Sequence, residues 1–341
     1  MGRFFFIPVF LIARGILLTK RLRSFFLGIA LLPIPAATAQ EQQNPPLSVP
    51  TVRVDVSRVD VGVTVTDSHG RLLGGLRRRD FHVFDNGVEQ PISDFLSIDE
   101  PAQIVLLVES GPAVLLLGAN HIRAADSLLA SFAPDDRVAI ASYSRTPSVL
   151  LDFTLDKAVA REELARVNFG LGFGDLNLSS SVSAILDWLA PLPQKKTIVL
   201  LSTGVDTSRP EDWPATQQKL LASDIRILSV SLAGDFRKPQ KRKKLSSQER
   251  EDRSFVKEGF AYADLQLKAV SEATGGRVYF PRNAKEFSRV YAEIAQLVRH
   301  EYSLAFVPPS RDGQLHSITV KVKHSWYRVD HRHTYRAPPP E

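Results

Sequence analysis

The chain has 341 residues, 44% of them hydrophobic and 9% aromatic, a composition that buries cores and excludes a disordered polymer. Its formal charge of +6 invites a nucleic-acid reading. However, Arg3, Arg14, Lys20, Arg21 and Arg23 all precede the first acidic residue, so beyond residue 39 the balance is only +1 and no nucleic-acid partner is expected. The absence of cysteine excludes disulfide frameworks and thiol nucleophiles, leaving core burial as the source of stability.

The basic Lys20-Arg21-Leu22-Arg23, the apolar run FFLGIALLPIPA and Ala37-Thr38-Ala39 have the three parts of a secretory signal, with cleavage expected after Ala39. Pro33 and Pro35 interrupt a run already short for a membrane span, and retention as an N-terminal anchor is the alternative. The expected destination is periplasmic or secreted. Residues 40–50 are polar and Pro-rich, a tether. Residues 51–98 then read as a β unit. Val52, Val54 and Val56 alternate, the pattern slips at Ser57-Arg58, and Val59, Val61, Val63 and Val65 resume it; Asn86-Gly87 marks a hairpin.

From residue 103 the rhythm changes. QIVLLVE (103–109) is apolar throughout, as a strand covered on both faces requires. Helical spacing in HIRAADSLLASF, a strand RVAIASYS, a helix LDKAVAREELARV and a Gly-rich loop follow. The alternation continues through helix SVSAILDWLAPL, strand KTIVLLST, helix PEDWPATQQKLLAS, strand IRILSVSL, helix FAYADLQLKAVSEATGG, strand RVYF and helix AKEFSRVYAEIAQLVRH. This predicts an α/β fold over 103–299: a doubly wound, mostly parallel, Rossmann-like sheet with helices on both faces. The insertion RKPQKRKKLSSQEREDRS (237–254) reads as a mobile charged loop, with weak contact to anionic envelope surfaces as its electrostatic alternative. EYSLAFVP, HSITVKVKH and YRVDHRHTYR (within 300–337) are three β segments without intervening helices, expected to pair with 51–98 in a small β-sandwich.

Doubly wound sheets bind ligands beyond the carboxyl ends of their strands. Three such ends converge here: Glu109-Ser110-Gly111-Pro112-Ala113, the loop Gly170–Asn177, and Ser202-Thr203-Gly204-Val205-Asp206. Together with VTVTDSHGRLLGGLRRRDFHVFDNGVEQPISDF, APDDRVAIASY, KKTIVLLSTGVDTS and the closing EYSLAFVP…DGQLHSITVKV, they resemble the exported bacterial VWFA-related family, of von Willebrand factor type A (VWA)-like fold, over nearly all of the chain after the signal.

The resemblance implies a metal-ion-dependent adhesion site built from an Asp-x-Ser-x-Ser loop, a Thr on a second loop and an Asp on a third, holding Mg²⁺ through hard oxygen ligands. On this sequence Glu109 matches the Asp, but Gly111 and Ala113 stand in place of the serines. The second-loop position falls at Asp175 (or Leu176), and Thr203 replaces the third-loop Asp, with Asp206 further along. The site is therefore expected to be degenerate and without metal. Any ion would rest on Glu109, Asp175 and Thr203, and no cofactor is expected.

No phosphate loop and no Gly-x-Ser-x-Gly elbow is present. Gly170–Asp175 follows a helix instead of a strand, so it reads as a turn, not a dinucleotide loop. Glu109 with Asp175 as an acid–base pair, and His331 with His333 as a metal clip on one strand face, are the weaker alternatives. The expectation is a non-enzymatic module that binds an unidentified protein through Glu109, Ser110, Gly111, Pro112, Ala113, Asp175, Asn177, Thr203 and Asp206. A metal-dependent adhesion module and an enzyme are the rivals.

Overall fold

The computed structural model describes residues 58–111, 120–167, 175–234 and 247–340. The signal, the tether, Val52, Val54, Val56, Pro112, Ala113, the stretch 170–174 and the basic part of the insertion lie outside them.

The β unit begins with β1 (Val59–Thr66), in which Val59, Val61, Val63 and Val65 are all buried. A 3₁₀ turn, Arg78–Asp80, leads into β2 (Phe81–Asp85), and β3 (Val88–Gln90) and β4 (Ile92–Leu96) follow. Asn86 and Gly87 connect β2 to β3 with φ of 47° and 82°, the conformation that makes Asn-Gly the favoured two-residue hairpin loop.

The α/β part comprises β5 (Ala102–Glu109), α1 (Asn120–Ser131), β6 (Arg137–Tyr143), β7 (Pro147–Thr154), α2 (Lys157–Ala165), α3 (Leu178–Leu189), β8 (Lys195–Ser202), α4 (Trp213–Ala222), β9 (Arg226–Ser231), α5 (Ser247–Ala273), β10 (Val278–Tyr279) and α6 (Ala284–Arg299). The sheet order is β10-β9-β8-β5-β6-β7, the doubly wound 3-2-1-4-5-6 arrangement, parallel except for the edge strand β7. Ile104, Leu106 and Val108 pack on one face with α1 and α6; Val105 and Leu107 pack on the other with α3 and α5. The apolar continuity of QIVLLVE is thus explained by burial on both faces.

The chain closes with β11 (Glu301–Phe306), β12 (Leu315–Val322), β13 (Arg328–His331) and β14 (Thr334–Arg336). Two antiparallel sheets result, β13-β1-β11-β4 and β14-β12-β2-β3, which share a core of Val61, Val63, Tyr302, Leu304, Val83, Ile318, Val320 and Tyr335. The fold class read from the sequence, a doubly wound sheet beside a sandwich of N- and C-terminal strands, is the fold observed.

Three expectations are corrected. The segment Pro147–Thr154 is a strand that the sequence reading passed over. It lacks a clear period-two pattern because it is half-buried along most of its length, and Pro147 is tolerated as the first residue of an edge strand. Residues 247–254 are helical and not loop, since α5 starts at Ser247. The run SQEREDR is rich in strong helix formers.

The third correction concerns YRVDHRHTYR, which is two strands in different sheets. The chain breaks at the buried Arg332, whose guanidinium donates to the carbonyls of Leu221 (3.4 Å), Ser223 (2.6 Å) and Asp60 (2.6 Å).

The sandwich sits against the amino ends of the parallel strands. Lys195, first residue of β8, donates to the carbonyls of Ser97, Ile98 and Glu301, each at 3.3 Å. Arg226, first residue of β9, donates to Thr64 Oγ1 (3.2 Å) and lies 3.6 Å from the Glu301 carboxylate. This placement leaves the opposite, carboxyl edge of the sheet uncovered by the sandwich.

Candidate functional site at the carboxyl edge

Glu109 is the last residue of β5 and is wholly buried. Parallel pairing sets it beside Tyr143, the last residue of β6, and neighbouring β8 delivers Ser202 and then Thr203 on its other side. Its carboxylate is enclosed by donors. Oε2 accepts from the Thr203 N–H (2.7 Å), the Ser202 hydroxyl (2.9 Å) and the Tyr143 hydroxyl (3.3 Å); the Thr203 hydroxyl lies 2.9 Å from both oxygens. Tyr143 and Ser202 hydroxyls are themselves 2.7 Å apart, and Ser202 accepts from the Gly204 N–H at 2.8 Å. Burial raises the Glu109 pKa, and the hydrogen bonds from Thr203, Ser202 and Tyr143 offset only part of that. Burial, together with the neighbouring carboxylate, holds the Tyr143 phenol well above its usual value.

Gly204 needs to be glycine. Its φ is +79°, and a Cβ there would stand 2.5 Å from the Ala263 carbonyl oxygen of α5. The turn it makes is what presents the Thr203 N–H and hydroxyl together to Glu109.

The remaining edge residues are held by one another. Ser110 donates through its N–H (2.8 Å) and hydroxyl (3.0 Å) to the Tyr143 carbonyl. At Gly111 a Cβ would meet Leu176 Cδ2 at 2.5 Å, so the place where the resemblance expects a serine is filled by a buried leucine from the second loop. Leu176 is fixed in turn by Thr207, whose hydroxyl accepts from the Leu176 N–H at 2.8 Å and donates to its carbonyl at 2.9 Å. Asn177 and Asp206 both serve the start of α3: Asn177 Oδ1 accepts from the Ser180 N–H (3.0 Å), Asp206 Oδ2 from the Ser179 N–H (3.1 Å). Asp175 faces outward, its side chain 69% exposed, 3.5 Å from the Arg145 guanidinium.

The structure therefore brings Glu109 and Thr203 into direct contact and keeps Asp175 apart from them, on the outer surface. A Mg²⁺ ion does not fit this donor set. Both Glu109 oxygens are already taken by hydrogen bonds from Thr203, Ser202 and Tyr143, Gly111 is closed by Leu176, and Asp175 is turned to Arg145. Among the described residues no group of three or more carboxylate or imidazole side chains could hold a metal ion. Nor do Glu109 and Asp175 form an acid–base pair, one being enclosed and the other solvated. His331 and His333 have their rings 4.9 Å apart, but His333 lies beyond the strand end. His331 spends Nε2 on the Val320 N–H (3.2 Å) and Nδ1 on the Arg332 carbonyl (2.6 Å), leaving no nitrogen for a metal.

The sequence reading missed Tyr143 as part of the site, and it met Leu176 only as an alternative second-loop position, not as the residue that closes Gly111. Tyr143 was detectable as the residue level with Glu109 if the two strands pair in parallel. The role of Leu176 depends on the path of a loop, which the sequence does not specify.

No family model matches the chain, and no curated protein sequence matches it. Among solved structures, it is similar to an aerotolerance-related membrane protein from Bacteroides fragilis, at 13% identity and a TM-score of 0.44 over 58% of this chain and 98% of that one. It is likewise similar to a von Willebrand factor type A protein from Catenulispora acidiphila (11% identity, TM-score 0.43, 84% and 76% covered) and to the conserved hypothetical protein BatB from Bacteroides thetaiotaomicron (10%, 0.37, 59% and 100%). At such identities the likeness is one of fold alone.

Proposed function

We propose that this protein is an exported, non-enzymatic interaction module that binds a protein partner at the carboxyl edge of its VWA-like sheet without a metal ion. The observation that carries this reading is the enclosure of Glu109. A coordinating carboxylate must offer a lone pair outward; this one is fully buried, with donors from Thr203, Ser202 and Tyr143 on its oxygens. Recognition then falls to the groups that do reach the surface, which are Ser110, Asp175, Asn177, Val205 and Asp206, through hydrogen bonds and apolar contact. Export is supported by the signal-like N-terminus, and among the described residues no helix is long and apolar enough to cross a membrane.

The test is site-specific photocrosslinking from position 175 in the producing cells. Crosslinks to a protein partner that persist in excess EDTA fit the proposal. Crosslinks that vanish with EDTA and return with Mg²⁺ favour the metal-dependent adhesion reading.

A further inference from the structure

The sandwich carries a second surface feature that the carboxyl edge does not use. β12 ends at Val322, opposite Phe81, and the chain then turns through Lys323-His324-Ser325-Trp326-Tyr327 into β13. Three rings cluster in those five residues. His324 stacks on Trp326 with centroids 4.7 Å apart and planes at 28°, while Tyr327 meets His324 at 5.3 Å and Trp326 at 6.0 Å, edge-on to both. Trp326 is 62% exposed. Packing does not account for an indole left in water, since burying it would be favourable.

Beside the rings lies a cavity of about 200 Å³ lined by Leu76, Asp80, Val322, Lys323, His324 and Tyr327. Its lining combines apolar Leu76 and Val322 with the Tyr327 ring, the Asp80 carboxylate, the Lys323 ammonium and the His324 imidazole. That is less than the usual range of roughly 300–1,000 Å³ for drug-sized ligands, and it suits a single ring. The Lys323 N–H donates to the Asp80 carbonyl at 2.9 Å, so the turn is laced to the 3₁₀ segment that carries Arg77, Arg78 and Arg79. All three arginines are exposed, and none makes an ion pair among the described residues. With Lys323 and Arg328 they put five basic residues within three positions of residues that line the cavity, against the single lining carboxylate of Asp80, a positive cluster separate from the basic run at 237–244.

From the exposed indole, the one-ring cavity and this charge, we infer that the turn is a binding site for an acidic saccharide, a sugar ring bearing a carboxylate. The C–H face of a pyranose carries slight positive charge and packs on the negative face of Trp326. Ring hydroxyls are met by Asp80 and His324, and the uronate carboxylate by Lys323 with the arginine run behind it. An acidic peptide would meet the same charge, but its extended backbone has no use for a cavity of one-ring size. The site lies on the sandwich and stands independently of the carboxyl-edge reading.

The test is calorimetric titration at physiological salt with short oligogalacturonates, compared with the same oligosaccharides after reduction of their carboxylates and with poly-L-glutamate. Saturable binding of the oligogalacturonate is expected, weakened about tenfold or more by carboxylate reduction, by Trp326→Ala and by Lys323→Glu. Should Trp326→Ala melt early, Lys323→Glu at an exposed position carries the comparison. No saturable oligogalacturonate binding overturns the inference. So does binding that survives Trp326→Ala unchanged, or equal binding of polyglutamate, either of which marks a plain electrostatic surface.

Discussion

Thr203 holds Glu109 at both ends of its own residue, by its N–H at 2.7 Å and by its hydroxyl at 2.9 Å. On this sequence Thr203 is also the residue standing where the resemblance implies a metal-binding Asp. An N–H and a hydroxyl stand there in place of a second anion, so the two loops are joined by hydrogen bonds.

The first prediction concerns that carboxylate. Glu109→Ala strands the Thr203 N–H and should cost about 3 kcal/mol in chemical denaturation. Glu109→Gln can keep an acceptor toward Thr203 N–H and Ser202 while its amide donates to Thr203 Oγ1, so it should fall within about 1 kcal/mol of the parent at neutral pH. Because burial raises the Glu109 pKa, the folded chain binds its proton more tightly than the unfolded chain does. That contribution to stability is complete below the ordinary glutamate value and is lost as pH rises through the raised one. The Gln variant should lack this slope in a pH series of unfolding curves.

A second prediction follows from the contact between Gly111 and Leu176. Gly111→Ser, which restores the residue type the resemblance implies, must displace Leu176 and should destabilise by about 1–2 kcal/mol. In a Leu176→Ala background the added cost of Gly111→Ser should largely disappear. A double-mutant cycle reads the difference, and additive costs would show that Leu176 is not what closes the position.

His316 supplies a third. Its Nδ1 lies 2.9 Å from Asp85 Oδ1 and its Nε2 3.1 Å from Asp312 Oδ2, with the Tyr335 hydroxyl donating to Asp85 at 3.2 Å. Burial alone would lower the imidazole pKa; the two carboxylates outweigh it, and the net shift is upward. The stabilisation is therefore fully present below the ordinary histidine value and fades as pH rises through the raised one. Melting temperatures should fall across that interval in the parent and stay flat in His316→Gln.

Arg332 supplies a fourth. It is buried between the sandwich and the α/β part, its pKa held down to about 10 by burial, and it donates to carbonyls from both. Arg332→Leu should cost about 2–4 kcal/mol and separate the unfolding of the two parts in calorimetry, whereas a single unchanged transition would mean that Lys195 and Arg226 suffice to join them.

The doubly wound sheet was legible because its strands are apolar on both faces, as in QIVLLVE and KTIVLLST, and its helices recur at helical spacing. The sandwich was legible from the valines at 59, 61, 63 and 65 and from three closing β segments that the α/β alternation cannot absorb. β7 escaped because an edge strand half-buried over most of its length leaves no strong pattern. The break at Arg332 escaped because a guanidinium that pairs with distant carbonyls leaves no local mark. At the site, the substitutions at Gly111 and Thr203 could be read residue by residue. Their consequence depends on Tyr143, placed by the pairing of two strands, and on Leu176, whose seat against Gly111 follows the path of a loop.

The most direct test of the central claim is calorimetric titration of Mg²⁺, Mn²⁺ and Ca²⁺ into the purified protein, alongside Glu109→Gln. The account predicts no saturable heat up to millimolar metal in either protein, both being folded. Saturable binding in the parent that is lost in Glu109→Gln would contradict it and make Glu109 a ligand after all.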